Sequence, residues 1–330
     1  VYRMEFRRGE PGGFDDSAGR GPNSPFEPFS IPQEIRVIGR AKRGQTGTRV
    51  RFWHDFQIFP SSESFSWEKL TDRARQTAFL VPGLTIVARD ERGGDLQEEE
   101  FRFDGGVTDY VEHLSVDRGV TAIWRVEADG KFRETVQQLG TDQRLRPVEV
   151  DRDCHVDIAM RWGVGYETQL KSFVNIIATP KGGTHVQGFE QALMKVLRAQ
   201  VEKQSRRLKL SAKDGRLEKE DVLAGLTAVV TVSFPEPQFE GQVRAVVSQA
   251  VTRWLEGKLA KTGRADKQEN QALLDKLAGE MKARASARLH KEISRRKNAL
   301  ETSSLPAKLA DCRSQEGEFS ELFIVEGDSA

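Results

Sequence analysis

Apolar residues recur at helical spacing in several stretches of this chain. Leu70, Ala74 and Ala78 form one stripe, which predicts a helix over Ser66 to Leu80 that Pro82-Gly83 stops. Phe189, Leu193, Leu197 and Val201 predict a helix from about Val186 to Leu208. Val247, Val251, Trp254 and Leu255 predict another over Val243 to Leu259. Leu274, Leu277, Met281, Ala285, Leu289 and Ile293 run along one face of a long helix over Gln268 to Leu300. Gly106 to Leu114 reads as a shorter helix. Strand patterns occupy Glu34 to Ala41, Thr48 to Phe56, His155 to Trp162 and Tyr166 to Ala178. Gly83 to Asp90 and Glu98 to Phe103 read as a hairpin about Gly93-Gly94. Gly225 to Phe234 is a buried strand ended by Pro235 and Pro237. Residues 12 to 32, rich in Gly, Pro, Ser and Asp, read as a loop, and the weak pattern from Leu114 to Asp153 is expected to hold a domain boundary. The second block, strand pair, helix, strand, helix, predicts an α+β sandwich.

At 330 residues the chain has room for two or three domains. Its 37% hydrophobic and 31% charged residues are the balance of an ordinary soluble globular protein. A net charge of +1 supplies no global field, so any nucleic-acid contact must come from local patches. Cys154 and Cys312 are far apart and outside any CxxC pair, which disfavours a zinc site or disulfide framework and fits a reducing cytoplasm. The longest apolar stretches, such as Leu226 to Phe234, are strand-length, so no membrane span is expected. The start, Val1 to Phe6, lacks the features of a signal peptide. Both ends are expected to be cut from something longer.

Local chemistry is sharpest at a few places. Between 271 and 300 the long helix carries eight Lys or Arg against three acids, crowded toward its end. These charges suit the helix dipole, or they make a lever whose Arg295-Arg296-Lys297 faces DNA phosphates. Gly39 to Gly44 imitates half of a phosphate-binding loop, but Gln45 stands where a lysine is needed, so it reads as a turn. Lys181-Gly182-Gly183-Thr184-His185 opens a helix, with Thr184 as N-cap or with the exposed N–H groups holding an anion. In Val325-Glu326-Gly327-Asp328-Ser329-Ala330, an apolar strand delivers two carboxylates to its end, a set of hard oxygens that suits Mg²⁺ and that also occurs in plain acidic turns.

Taken in order, several segments resemble the B subunits of bacterial type IIA DNA topoisomerases, DNA gyrase and topoisomerase IV. Thr46 to Trp53 resembles the strand closing their ATPase domain, and Phe103-Asp104-Gly105-Gly106 a turn near that domain's end. Ser172-Phe173-Val174-Asn175 with Gly182 to Phe189 resembles their transducer signature. Arg295-Arg296-Lys297, Leu305 to Cys312 and Glu326 to Ala330 resemble the approach to their TOPRIM domain. The resemblance implies the C-terminal part of a GHKL ATPase domain over 1–115 and a ribosomal S5 domain 2-like transducer over 116–267. A long helix and linker over 268–318 would lead to the start of TOPRIM at 319–330.

It further implies a subunit that couples ATP binding and hydrolysis to double-strand DNA passage with an A subunit. ATP would dimerise two copies, and Mg²⁺ would serve cleavage in the bacterial cytoplasm. Glu326 takes the place of the TOPRIM metal ligand and catalytic acid or base. Thr48 and Val50 would contribute the far wall of the nucleotide pocket. The family's ATP-binding asparagine, acidic motif and glycine-rich lid would lie before Val1, so this chain alone is not expected to hydrolyse ATP well. At the family's γ-phosphate-sensing Gln-Thr-Lys, Gln242 runs directly into Val243-Arg244. Either Arg244 replaces the lysine, presenting a planar fork, or a loop is absent after Gln242, which is the favoured reading. The divergent arm at 12–32 and Leu305 to Lys308 lean toward a topoisomerase IV-like or second gyrase-like paralogue. The alternative is a non-catalytic ATP-dependent DNA clamp or regulatory fragment of the GHKL family, which would lack the sequence at 325–330.

Overall fold

The computed structural model describes residues 1–15, 21, 23–29, 35–55, 57–59, 65–94, 96–139, 144–235 and 243–302. They form two compact units, Val1–Lys69 and Leu70–Ala330. No helix among the described residues is long and apolar enough to cross a membrane.

In the first unit β1 (Tyr2–Arg3) pairs antiparallel with β5 (Arg36–Val37). Strands β2 (Glu5–Arg7), β3 (Glu10–Phe14) and β4 (Phe26–Pro28) make a separate antiparallel sheet in that order. Glycine density suggests a loop at 12–32, yet β3 and β4 both reach into it. The glycines serve close packing: a Cβ on Gly13 would lie 2.7 Å from the Arg36 guanidinium. The expected strand at Glu34 to Ala41 shrinks to Arg36–Val37, and 48–55 carries no strand. Its alternation is real, but Val50 is 81% and Phe52 68% exposed. Alternation describes a face; a strand also needs a neighbouring backbone to bond, and 48–55 has none among the described residues.

The second unit begins within α1 (Trp67–Leu80), which ends at the Pro82-Gly83 stop read from the sequence. The hairpin of β6 (Ile86–Asp90) and β7 (Gln97–Phe101) follows, then α2 (Val107–Leu114). Next come β8 (Trp124–Leu139), β9 (Leu145–Trp162), β10 (Gln169–Val174) and β11 (Ile177–Ala178). Helices α3 (Thr184–Lys203) and α4 (Lys219–Leu223) lead to β12 (Leu226–Ser233), followed by α5 (Val243–Ala260) and α6 (Arg264–Thr302). The sheet order is β11-β10-β12-β9-β8, with β10 and β12 parallel and the other pairs antiparallel. Fold class is therefore mixed α and β, as expected.

The sheet is covered on both faces. Val156, Ile158, Met160 and Trp162 of β9 join Leu226, Ala228, Val230 and Val232 of β12 in one core with α3, α5 and α6. The intervening Ala159 and Val229, with Phe173 of β10, face a second core made by Phe79, Val107, Tyr110 and Val111. There Phe79 stacks between Phe103 at 3.7 Å and Tyr110 at 4.7 Å. The side chains before and after the sequence-expected boundary at 115/116 thus share this core.

The weak stretch from Leu114 to Asp153 holds most of a long ribbon. β8 and β9 stay in register from Trp124↔Met160 to Leu139↔Leu145. Toward its tip the ribbon is mostly exposed, so neither strand shows the apolar alternation by which a half-buried strand is read.

Helices α3 and α5 touch at Gly188, where an added Cβ would sit well inside contact distance of the Arg244 carbonyl oxygen. Intrinsic helix propensity favours alanine over glycine by about 1 kcal/mol. We expect the opposite sign here: Gly188→Ala should lower stability by about 1–3 kcal/mol, because the contacting atom is backbone and the helices must separate. Urea unfolding with an unchanged m-value and a lower midpoint checks this; an unchanged or higher midpoint refutes the close contact.

Candidate functional site

Strand β12 ends at Ser233, and Pro235 cannot continue a ladder because it lacks an N–H. What holds the departing chain is Asn175. Its Nδ2 donates to the Phe234 carbonyl at 2.8 Å, and its Oδ1 accepts from the Phe234 N–H at 2.9 Å. Its own N–H donates to the Val232 carbonyl at 3.0 Å. Asn175 and Ile176 form the two-residue loop between β10 and β11, with φ of 46° and 64°. Two positive φ angles are what a tight hairpin loop of this hand demands. Asparagine accepts that conformation readily, whereas the β-branched Ile176 is strained in it.

Beside this clamp lies an open pocket of about 610 Å³, lined among others by Asp129, Gly130, Cys154, His155, Asn175 and Phe234. His155 Nδ1 lies 2.7 Å from Asp129 Oδ1. Burial pushes the Cys154 thiol up to about 11, so it is protonated at neutral pH and no nucleophile. Phe234 packs edge-on against Phe132 at 5.5 Å, tying the strand exit to the ribbon.

The glycine loop before α3 is built around His185, which is 4% exposed. Its Nε2 lies 3.3 Å from Thr179 Oγ1, which lies 2.7 Å from Ser172 Oγ. A Cβ on Gly183 would come within 2.9 Å of the imidazole. Burial pushes this histidine down to about 4, so the ring is neutral and points inward. The expectation of Thr184 as N-cap is corrected: Gly183 is the cap, Thr184 is already helical, and no side chain caps the end. A bare glycine at the cap leaves room for the imidazole of His185 beside it.

The sequence-predicted residues fall in different parts of the chain. Thr48 and Val50 lie exposed in the irregular segment of the first unit. Arg244 is exposed in the first turn of α5, its Nε donating to Gln191 Oε1 of α3 at 3.1 Å. Arg295 is exposed on α6, and Arg296 and Lys297 continue that helix. Gln242 and Glu326 lie outside the described residues. Among the described residues no group of three His, Cys, Asp or Glu is placed to hold a metal ion. In the sequence Asn175 stands out only as one member of a motif. The expected single strand over Tyr166 to Ala178 is instead broken by this turn into β10 and β11; the one signal for it is asparagine's tolerance of positive φ.

Residues 106–293 match the family described as DNA gyrase B. The chain is 34% identical over 335 residues to the DNA gyrase B subunit of Enterococcus faecalis, covering 100% of this chain and 45% of that one. It is 35% identical over 310 residues to the DNA gyrase B subunit of Treponema denticola, covering 92% and 45%. The chain thus spans less than half the length of these relatives. The structure is similar to the 43K ATPase domain of Thermus thermophilus gyrase B in complex with an aminocoumarin, with a TM-score of 0.58, 28% identity, and coverage of 88% of this chain and 68% of that one. Its fold is also similar to the ATP-binding domain of Francisella tularensis topoisomerase IV, with a TM-score of 0.54 at 21% identity over 76% of this chain and 63% of that one.

The clamp and the glycine loop each generate a measurable outcome. Asn175→Gly keeps the backbone accessible but deletes both side-chain bonds, so stability should fall by roughly 2 kcal/mol. Ile176→Gly should instead raise it by up to about 1 kcal/mol, since relief of left-handed strain exceeds the added unfolded-state entropy. Thermal melts of both variants check the opposed signs. For His185, the unfolded chain takes up its proton near 6.5 and the folded chain only near 4. The neutral ring's contribution is therefore present above pH 6.5 and lost as pH falls toward 4, with up to one proton bound on unfolding. His185→Gln should flatten the slope of unfolding free energy against pH in that window; parallel slopes would contradict the buried, neutral assignment.

Proposed function

The chain belongs to the DNA gyrase B family, and on that footing we propose that it is part of the B subunit of an ATP-dependent type II DNA topoisomerase. In this reading the subunit works with an A subunit and duplex DNA in the bacterial cytoplasm, and ATP dimerises two copies. Residues 1–115 belong to the ATPase domain, 116–267 to the transducer, 268–318 to a helix and linker, and 319–330 to the start of TOPRIM.

The observation that carries the proposal is the family match over 106–293, which takes in the sheet, α2, α3, α4, α5 and most of α6. The Asn175 clamp supports the same reading mechanically. It fixes where β12 leaves the sheet, shortly before Gln242, after which the resemblance puts the family's nucleotide-sensing loop. Gln242 would lie beside the nucleotide, as would Thr48 and Val50. Arg244 is the weaker candidate, since its guanidinium already bonds Gln191. Arg295, Arg296 and Lys297 would meet DNA phosphates, contacts that weaken as salt removes the counterion-release advantage.

Magnesium enters through Glu326, whose carboxylate with that of Asp328 offers the hard oxygens the ion takes. When bound, the ion would stabilise negative charge developing on the phosphodiester. Glu326 itself would hold it or move a proton at the leaving oxygen.

The complete subunit, mixed with its cognate A subunit, tests the reading. ATP-dependent strand passage is expected, with supercoiling marking gyrase and decatenation or relaxation without supercoiling marking topoisomerase IV. Glu326→Gln should cut DNA cleavage at least roughly 100-fold, the scale of losing several kcal/mol of charge stabilisation, while ATP hydrolysis persists. Cleavage at the wild-type rate by a folded Glu326→Gln protein would remove Glu326 from the site.

A further inference from the structure

Helix α6 is 39 residues long, and its apolar anchorage stops well before its end. Leu273, Leu274, Leu277, Ala278 and Met281 are buried in the main core. From 286 to 295 every residue is exposed, including Leu289 at 53% and Ile293 at 45%. Beyond Met281, Arg284 and the exposed Arg288 fasten the helix to the short α4 and the residues before it. Arg284 Nε and Nη2 donate to the two carboxylate oxygens of Asp221 at 2.8 and 2.9 Å. Its Nη1 donates to Glu218 Oε1 at 2.7 Å, and Nη2 also reaches the Arg216 carbonyl at 2.8 Å. Arg288 grips both oxygens of Glu218 at 2.9 and 2.7 Å.

Asp221 is 2% exposed and also accepts the Glu218 N–H at 2.8 Å, so one carboxylate both closes the start of α4 and receives the guanidinium. The two arginines hold Glu218 below its ordinary carboxylate range, the Arg288 hydrogen bond first. Only Ala224 and Gly225 separate α4 from β12. Gly225 has φ 72°, and its carbonyl accepts the Gly163 N–H at 2.8 Å, locking this corner to β9's end. A single buried strand thus runs from the Asn175 clamp at one end to the α4 corner at the other, and the α4 corner holds the helix.

We propose that Asp221, Glu218 and Arg284 form the coupling clamp through which movement of β12 is passed to α6, with Arg284 as a positioning residue for strand passage. This rests on the functional reading above. A planar fork shared among Asp221, Glu218 and the Arg216 carbonyl fixes the helix about its axis as well as along it, which a point charge cannot do. Without it, anchorage retreats from residue 288 toward Met281, about 10 Å of helix, and the remaining length swings.

The test uses the complete subunit with its cognate A subunit, and measures ATP hydrolysed and strand passages completed in the same reaction. Arg284→Ala is expected to keep ATP turnover within about twofold of wild type and to raise ATP consumed per passage at least about tenfold, a loss of coupling of about 1.4 kcal/mol. Arg284→Lys should fall between. Should Arg284→Ala fail to fold, Arg288→Ala, which removes only the exposed half of the grip, should raise the same ratio by roughly twofold to fivefold. A wild-type ratio in folded Arg284 or Arg288 variants overturns the clamp and leaves the functional reading standing. No ATP-dependent passage by the wild-type pair overturns that reading and the clamp with it.

Discussion

The full burial of β12 on both faces is the constraint from which the rest of the second unit follows. Leu226 through Val232 are nearly all inaccessible, with alternate side chains committed to different cores. Its backbone is bonded on one side to β10 and on the other to β9. A strand so placed has no freedom to slip by one residue, because Leu226, Ala228, Val230 and Val232 would leave the main core and Val229 would leave the other. It can only shift as a unit, and its ends are where such a shift must be received. Both ends are furnished accordingly, by the two amide bonds of Asn175 and by the ion cluster at α4.

Glycines set the distances between these parts. Gly188 lets α3 lie against the backbone of α5, and Gly183 leaves room for the inward ring of His185. Both belong to the segment that resembles the transducer signature, one before its helix and one within it. The segment's chemistry is therefore chiefly steric: it seats a helix on the sheet at one depth. Its histidine supplies shape and a hydrogen-bond partner, since burial keeps it uncharged across the physiological range.

Apolar periodicity was most legible where it met a partner. α3, α5, α6 and β12 lie close to their expected bounds, because each buries one stripe or both faces; α1 and the β6–β7 hairpin also lie close to theirs, although Leu70 and most of β7 are exposed. Legibility failed where burial and periodicity parted. The stretch from Thr48 alternates without a paired neighbour among the described residues, and the outer β8–β9 ribbon has neighbours without burial. Glycines at 12 and 13 signified close strands rather than a turn. The α4 clamp was invisible for another reason: Arg284 lies 63 residues from Asp221, and no local rule pairs them. On the long helix the basic residues draw notice by their number near the end, while the earlier Arg284 and Arg288 carry the contacts. Thr48 and Val50 belong to the first unit and Arg244 and Arg295 to helices of the second, and Glu326 belongs to a segment read through sequence alone.

The ribbon has a consequence for how molecules of this protein meet one another. β8 is the outermost strand of its sheet, and among the described residues no strand pairs with its outer edge. Such an edge invites a second sheet to dock. Across its outer reach, however, Lys131 faces Asp153 and Arg133 faces Asp151, with Glu149 also within 3.5 Å of Arg133. An incoming strand would have to lie against these charges and strip water from them, which disfavours it. The charges thus leave an open edge on which a further strand, from another copy or elsewhere, is disfavoured.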